Sequence, residues 1–201
     1  MKKIFYAAAS ILALSALAFT TIDPLAIGSK MPNENVKMLS VSGKEVSIKD
    51  AMKSKGVLVM FSCNTCPYVI KNQVRTRAIA QYAKKMNVGV IIINSNEAQR
   101  NEVDAFSEMQ KYAAAQKYTW NYVVDKNSEI ANAFGANRTP ECFLFDKNSV
   151  LVYHGAIDNS PADPAAITRQ HLKQAINELT EGKPITIKES KSVGCGIKRV
   201  S

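Results

Sequence analysis

Two cysteines separated by two residues, in Ser62-Cys63-Asn64-Thr65-Cys66-Pro67, are the side chains whose type and spacing most directly permit chemistry. One turn of chain brings their sulfurs close enough to bond to each other. If a helix begins at the motif, its free N–H groups and dipole favour a thiolate at Cys63, the expected helix N-terminus. A thiolate attacks a disulfide or a peroxide, and the second sulfur resolves the mixed intermediate. Pro67 suits a first helical turn, where its missing N–H is not needed. The same pair also fits a structural disulfide or half of a zinc site. A zinc site needs two more ligands, and Cys142, Cys195, His154 and His171 form no second C-x-x-C or H-x-x-x-H. Soft thiolates leave a third use open, a dithiol module that holds Cu(I).

The elements around the motif must position it. Residues 56–61, GVLVMF, are a continuous apolar run of the kind found in a strand buried on both faces. After the motif, Val69, Ile70, Val74, Ala78, Ile79, Tyr82 and Ala83 recur at helical spacing over 68–86. A second buried strand is expected at 88–93. An amphipathic helix follows over 102–116, with Val103, Phe106, Met109 and Tyr112 on one stripe, then a short strand at 122–124. A helix over 127–134 ends at Gly135, and strands 142–145 and 150–153 form a hairpin across Asp146-Lys147-Asn148. A last helix spans 167–179, stopped by Gly182-Lys183-Pro184. Before the first buried strand, 36–39 and 45–48 flank Ser42-Gly43 as a β-hairpin, and 50–54 suit one helical turn. Strands alternating with helices and closing on a hairpin give an α/β fold, a three-layer α/β/α sandwich with a mixed central sheet.

Thr139-Pro140 precedes the apolar strand ECFLF, so Pro140 marks a tight entry, with a cis bond as one option and an ordinary loop proline as the other. Cys142 lies inside that strand and reads as an inert core thiol, with a redox partner as the alternative. Cys195, in Gly194-Cys195-Gly196, lies in a polar tail with small neighbours and is expected to be accessible and mobile. It is a candidate resolving thiol, with a tail disulfide or a docking residue as the alternatives. His154 and His171 read as structural or solvated, and Trp120 and Tyr122 as core aromatics. The usual nucleotide-binding, serine-hydrolase and zinc-protease motifs do not occur.

The 201 residues are 46% hydrophobic and 21% charged with four cysteines, which excludes disorder and a disulfide-dense scaffold. The net charge of +9 is spread without a long basic run, so no nucleic-acid partner is expected. The N-terminus, MKKIFYAAASILALSALAF, has two lysines, an uncharged stretch and the small-x-small site Ala16-Leu17-Ala18. It reads as a signal peptide over 1–18, whose removal takes away Lys2 and Lys3 and leaves +7. The rival is an uncleaved membrane anchor, since the uncharged run reaches Ile22. Either reading puts the folded part outside the cytoplasm, most naturally in the periplasm, where a C-x-x-C pair is redox-active more often than zinc-binding. The mature chain divides into a lead-in (19–35), one domain (36–184) and a tail (185–201).

VLVMFSCNTCPYVIKNQ, VGVIIINSN, YVVDKNSEIANAFGANRTPECFLFDKNSVLVYHGAIDNS and VGCGIK, in this order, resemble the thioredoxin superfamily. They are most similar to the peroxiredoxin-like branch of the redoxin group, the alkyl hydroperoxide reductase and thiol-specific antioxidant proteins. The resemblance implies a thioredoxin fold with Cys63 as attacking thiol and Cys66 as its partner. It implies that Pro140 is a cis-proline facing the motif, with the Thr139 backbone pairing with a bound peptide. No cofactor is implied. The partners would be disulfide-bearing proteins, or small thiol or peroxide substrates, and a thiol electron donor. Where the branch commonly has C-N-H-C, Thr65 replaces the histidine, which should make the pair less oxidising. Residues 57–61 lack the buried acid that thioredoxins use as a proton relay. Cys63 stands where peroxiredoxins carry a threonine in P-x-x-x-T-x-x-C, which argues against efficient peroxidase activity. The expectation is therefore a thiol–disulfide oxidoreductase, with a thiol peroxidase resolved by Cys195 as the alternative.

Overall fold

The apolar run ahead of the motif is the centre of the sheet. The computed structural model describes residues 23–200, so the expected signal peptide and the start of the lead-in lie outside the described residues. A short ribbon of β1 (Met38–Leu39) and β2 (Glu45–Val46) leads into α1 (Ile48–Ala51). Ser47 caps α1 in a reciprocal box with Asp50, which sets this turn two residues ahead of the one expected at 50–54. There follow β3 (Gly56–Ser62), α2 (Pro67–Lys85), β4 (Val88–Asn94), α3 (Phe106–Ala115), β5 (Asn121–Val124) and α4 (Glu129–Phe134). The chain ends with β6 (Arg138–Thr139), β7 (Glu141–Asp146), β8 (Leu151–Gly155), α5 (His171–Thr180) and β9 (Cys195–Gly196).

Five strands form the main sheet in the order β5-β4-β3-β7-β8, with β3, β4 and β5 parallel, β7 antiparallel to β3, and β8 antiparallel to β7. Every residue of β3 and β4 is buried. The two-residue period of β3 sends Leu58 and Met60 to one face, where they meet Ile79, Ala80 and Ala83 of α2 and Leu172 and Ile176 of α5. Val57, Val59 and Phe61 point the other way, against Ile130 and Phe134 of α4 and Ile48 of α1. The result is the expected three-layer sandwich with a mixed sheet. Each large apolar side chain buried along β3 contributes about 1.5–3 kcal/mol, so the strand that carries the motif is firmly seated.

The departures from expectation have local causes. Helix α3 begins at Phe106 rather than 102, because residues 99–104 turn back on the Gln99 carbonyl and bury the Asp104 carboxylate; Val103 is exposed instead of lining a core stripe. Helix α5 begins at His171 rather than 167, because the Asn159 side-chain oxygen accepts from the N–H groups of Thr168 and Arg169 and holds that stretch extended. The lead-in is tied to the domain: Leu25 N–H donates to the Phe134 carbonyl, and Gly28 and Met31 N–H to the carbonyls of Leu151 and Ser149. Within the tail, β9 pairs with β6.

Candidate active site: three sulfurs beside a cis-proline

The motif bridges β3 and α2. Cys63 directly follows the last residue of β3, and Cys66 is the N-cap of α2 with Pro67 in the first turn. The helix therefore starts after the motif rather than at Cys63, and Cys66 is the sulfur that its N-terminus favours. Register supplies the facing wall. Phe61 of β3 lies opposite Glu141 of β7, so the segment ahead of β7, Thr139-Pro140, runs past the motif. The Thr139–Pro140 peptide is cis. The Cys63 sulfur lies 3.5 Å from the Thr139 hydroxyl, and the Cys66 thiol donates to the Thr139 carbonyl at 3.2 Å. The two motif cysteines and the Thr139-Pro140 segment thus meet at one place.

Cys195 joins them. Strand β9 pairs antiparallel with β6, setting Cys195 opposite Thr139, and its sulfur is 2.7 Å from that of Cys66. Cys63 and Cys66 pack in one buried cluster with Cys195 against it. Cys63 and Cys66 are almost fully buried, at 1% and 5% exposure, while Cys195 is half-buried. The expectation of an accessible, mobile Cys195 is corrected: strand pairing fixes it against the motif.

The charge distribution is uneven across the pair. Hydrogen bonding from Cys63 draws the Cys66 thiol well below the ordinary range; burial opposes this, and the Cys195 thiol and the Val69 N–H add to it. Ionisation gives up the bond to the Thr139 carbonyl but gains these donors. Cys63 is pushed up, first because its proton is committed to Cys66 and then by burial. Cys142 sits on β7 away from the three sulfurs, and burial pushes its thiol up, which suits an inert core thiol.

Three further groups support the site. Asp104 is fully buried and its carboxylate accepts from the Asn64 N–H (2.9 Å), the Asn94 amide (2.7 Å) and the Asn96 amide (2.9 Å). A buried acid thus reaches the motif from the loop before α3, although β3 has none. Tyr122 is a core aromatic, as expected, but its hydroxyl also donates to the Asn64 side-chain oxygen at 2.9 Å. Glu141, buried next to Pro140, accepts from the N–H groups of Asn137 and Arg138 and pairs with His154 at 2.8 Å. His154 is therefore structural, and His171 only opens α5. No sequence signal marks Asp104, Asn64 or Glu141, because each contributes through a contact distant in the chain or through backbone N–H groups.

A mixed-sheet sandwich with C-x-x-C at a strand-to-helix junction and a cis-proline facing it defines a thioredoxin-fold protein. The chain belongs to the Redoxin family, which it matches over residues 26–174, and it is an oxidoreductase. It is 25% identical over 130 residues to the thiol-disulfide oxidoreductase ResA of Geobacillus thermodenitrificans, covering 65% of this chain and 69% of that protein. Among solved structures, an uncharacterized conserved protein from Geobacillus kaustophilus superposes with a TM-score of 0.81 at 30% identity, covering 87% of this chain and 93% of its own. A hypothetical protein from Sinorhizobium meliloti 1021 gives 0.81 at 27% identity, with 89% and 97% covered.

Proposed function

We propose that this chain is an extracytoplasmic thiol–disulfide oxidoreductase that works through the Cys63–Cys66 pair. The observation that carries the reading is that the two cysteines pack in one buried cluster and both sulfurs touch Thr139, the residue before the cis-proline. The oxidoreductase name of the relatives and the signal-like N-terminus agree with it.

Cys66 attacks and Cys63 resolves, the reverse of the order expected from the sequence. Cys66 holds the favoured thiolate, caps α2 and faces the Thr139 edge, where an extended substrate segment can add as a strand. Its thiolate attacks one sulfur of a substrate disulfide, the other sulfur leaves as a thiol, and a mixed disulfide results. The chief influence raising Cys63 then disappears, because Cys66 no longer carries the charge that held its proton. Cys63 ionises, attacks the Cys66 sulfur, and releases the reduced substrate. A thiol donor resets the pair.

A redox titration of the Cys195→Ser protein, with thiols trapped by alkylation and disulfides mapped by mass spectrometry, tests this. A reversible Cys63–Cys66 disulfide is expected; its absence at every potential refutes the reading. The contact of Cys66 with Cys195 favours a second reading, a thiol peroxidase in which Cys66 becomes a sulfenic acid and condenses with Cys195. Rapid sulfenic acid formation with stoichiometric peroxide would establish that reading, and a rate no faster than that of a free thiol would exclude it.

A further inference from the structure

The C-terminal segment is fastened on both sides of the dithiol. Before the site it runs beside β8: His154 N–H donates to the Lys188 carbonyl (2.9 Å) and Ser190 N–H to the His154 carbonyl (3.0 Å). The Ser190 hydroxyl oxygen accepts from Ala156 N–H at 3.0 Å. Beyond the site, Ile197 N–H donates to the Asn137 carbonyl, Lys198 N–H to the Asn96 side chain, and the Arg199 guanidinium to Asn132 and the Ala136 carbonyl. Between these anchors β9 crosses the motif as the strand partner of β6. The fit is close: a Cβ on Gly194 would overlap the Thr139 carbonyl. The strap therefore occupies the strand edge that an extended peptide would need, and it brings a thiol to the position where such a peptide would present its sulfur.

We propose that Gly194-Cys195-Gly196 is a built-in substrate mimic, which holds the peptide edge of Thr139 and takes part in exchange by forming a Cys66–Cys195 disulfide. This rests on the reading of Cys63 and Cys66 as a redox pair. In the oxidised protein the Cys195 thiolate attacks the Cys66 sulfur of the Cys63–Cys66 bond. The Cys66–Cys195 bond forms, the Cys63–Cys66 bond breaks, and Cys63 leaves as a thiolate that takes the proton Cys195 gave up. The two oxidising equivalents stay within the three sulfurs, so no outside oxidant enters. Geometry supports the step, because the Cys66 sulfur lies 2.7 Å from that of Cys195 and Cys63 packs in the same cluster. In the reduced protein Cys195 is kept protonated, by burial first, then by its hydrogen bond to Cys66 and the charge there. Forming the Cys63–Cys66 disulfide removes that charge and readies Cys195. A polypeptide substrate must displace the strap, whereas a small disulfide needs only a path to Cys66.

The test uses full-length Cys63→Ser protein and oxidised glutathione. The Cys66 thiolate opens the glutathione disulfide and one glutathione thiol leaves; Cys195 then attacks the Cys66 sulfur and a second leaves. Two glutathione thiols per protein and a mapped Cys66–Cys195 disulfide are expected. The Cys63→Ser, Cys195→Ser double variant should release one and retain a glutathione adduct on Cys66. A stable adduct in Cys63→Ser overturns this inference alone. Absence of any adduct in both variants overturns the reading of Cys66 as the attacking thiol, and this inference with it. Gly194→Ala, added to Cys63→Ser, alters no sulfur but displaces the strap. It should speed the first release and slow the second at least tenfold, and unchanged rates would also refute the proposal.

Discussion

The carboxylate of Asp104 accepts a hydrogen bond from the backbone N–H of Asn64, at 2.9 Å and across 40 residues of sequence. An acid in the loop before α3 thereby holds the turn between the two cysteines. Both its oxygens are engaged by N–H donors, and none of its surface reaches solvent. Replacing it with asparagine turns an amide N–H2 toward other donors in a buried site. Asp104→Asn is expected to lower stability by about 2–4 kcal/mol in urea unfolding, since hydrogen bonds to a charged group are strong and a buried mismatch is costly. It should also bring down the Cys63 thiol. Cys66 and burial dominate the rise of that thiol, but the Asp104 charge adds to it. A titration of thiolate absorbance in the Cys66→Ser background would show whether that contribution exists.

The depressed Cys66 thiol has a pH signature. An unperturbed thiol titrates near about 8.5, so its alkylation rate falls tenfold for each unit of acidification below that. Cys66 should instead keep most of its reactivity at mildly acid pH, and Cys63→Ala, which removes the chief donor, should restore the ordinary fall. Linkage gives the matching stability effect. Because the folded value lies below the unfolded one, folding is favoured most at and above the unfolded value, and this advantage is lost as pH falls toward the folded value. Reduced wild-type protein should therefore lose stability relative to Cys66→Ser on acidification from about 8.5. Parallel unfolding curves at each pH would contradict the assignment.

Much of this site was legible because its signals are local. An apolar run, C-x-x-C, a proline and a 3.6-residue period occupy consecutive stretches, and together they place the dithiol where a buried strand gives way to a helix. The helix begins at Pro67, one residue ahead of the apolar spacing, so its N-cap is Cys66 and not Cys63. What escaped the sequence was tertiary. Tyr122 meets Asn64 across 58 residues and Cys195 meets Cys66 across 129, and no periodicity reports such pairs. A glycine-flanked cysteine in a polar tail looks solvent-exposed until the strand pairing at Thr139 is seen. Thr65 was expected to weaken the thiolate by replacing a histidine. It is exposed, and the donors that matter come from Cys63, Cys195 and the Val69 N–H.

Thr65→His tests that point. At an exposed position the imidazolium is screened by solvent, so it should change the alkylation rate of Cys66 at neutral pH less than Cys63→Ala does. A larger effect from Thr65→His would mean that the buried donors are not what holds the thiolate.

Glu141 connects the core to the segment that leads into Thr139-Pro140. One oxygen of its carboxylate accepts from the N–H groups of Asn137 (2.7 Å) and Arg138 (3.0 Å), and the other meets His154 (2.8 Å). These bonds shape the chain just before Thr139-Pro140, and His154 in turn carries the backbone bonds that seat residues 188–190. Glu141→Gln keeps the volume but leaves a single acceptor oxygen for these N–H donors. Stability should fall by about 1–3 kcal/mol, the cost of unsatisfied buried donors. The informative readout is the split between substrates. If Glu141 shapes the Thr139 edge, KM for a protein disulfide rises several-fold while the rate with oxidised glutathione, which needs no strand pairing, stays near wild type. An equal loss on both substrates would assign Glu141 to general folding stability and remove it from the peptide edge.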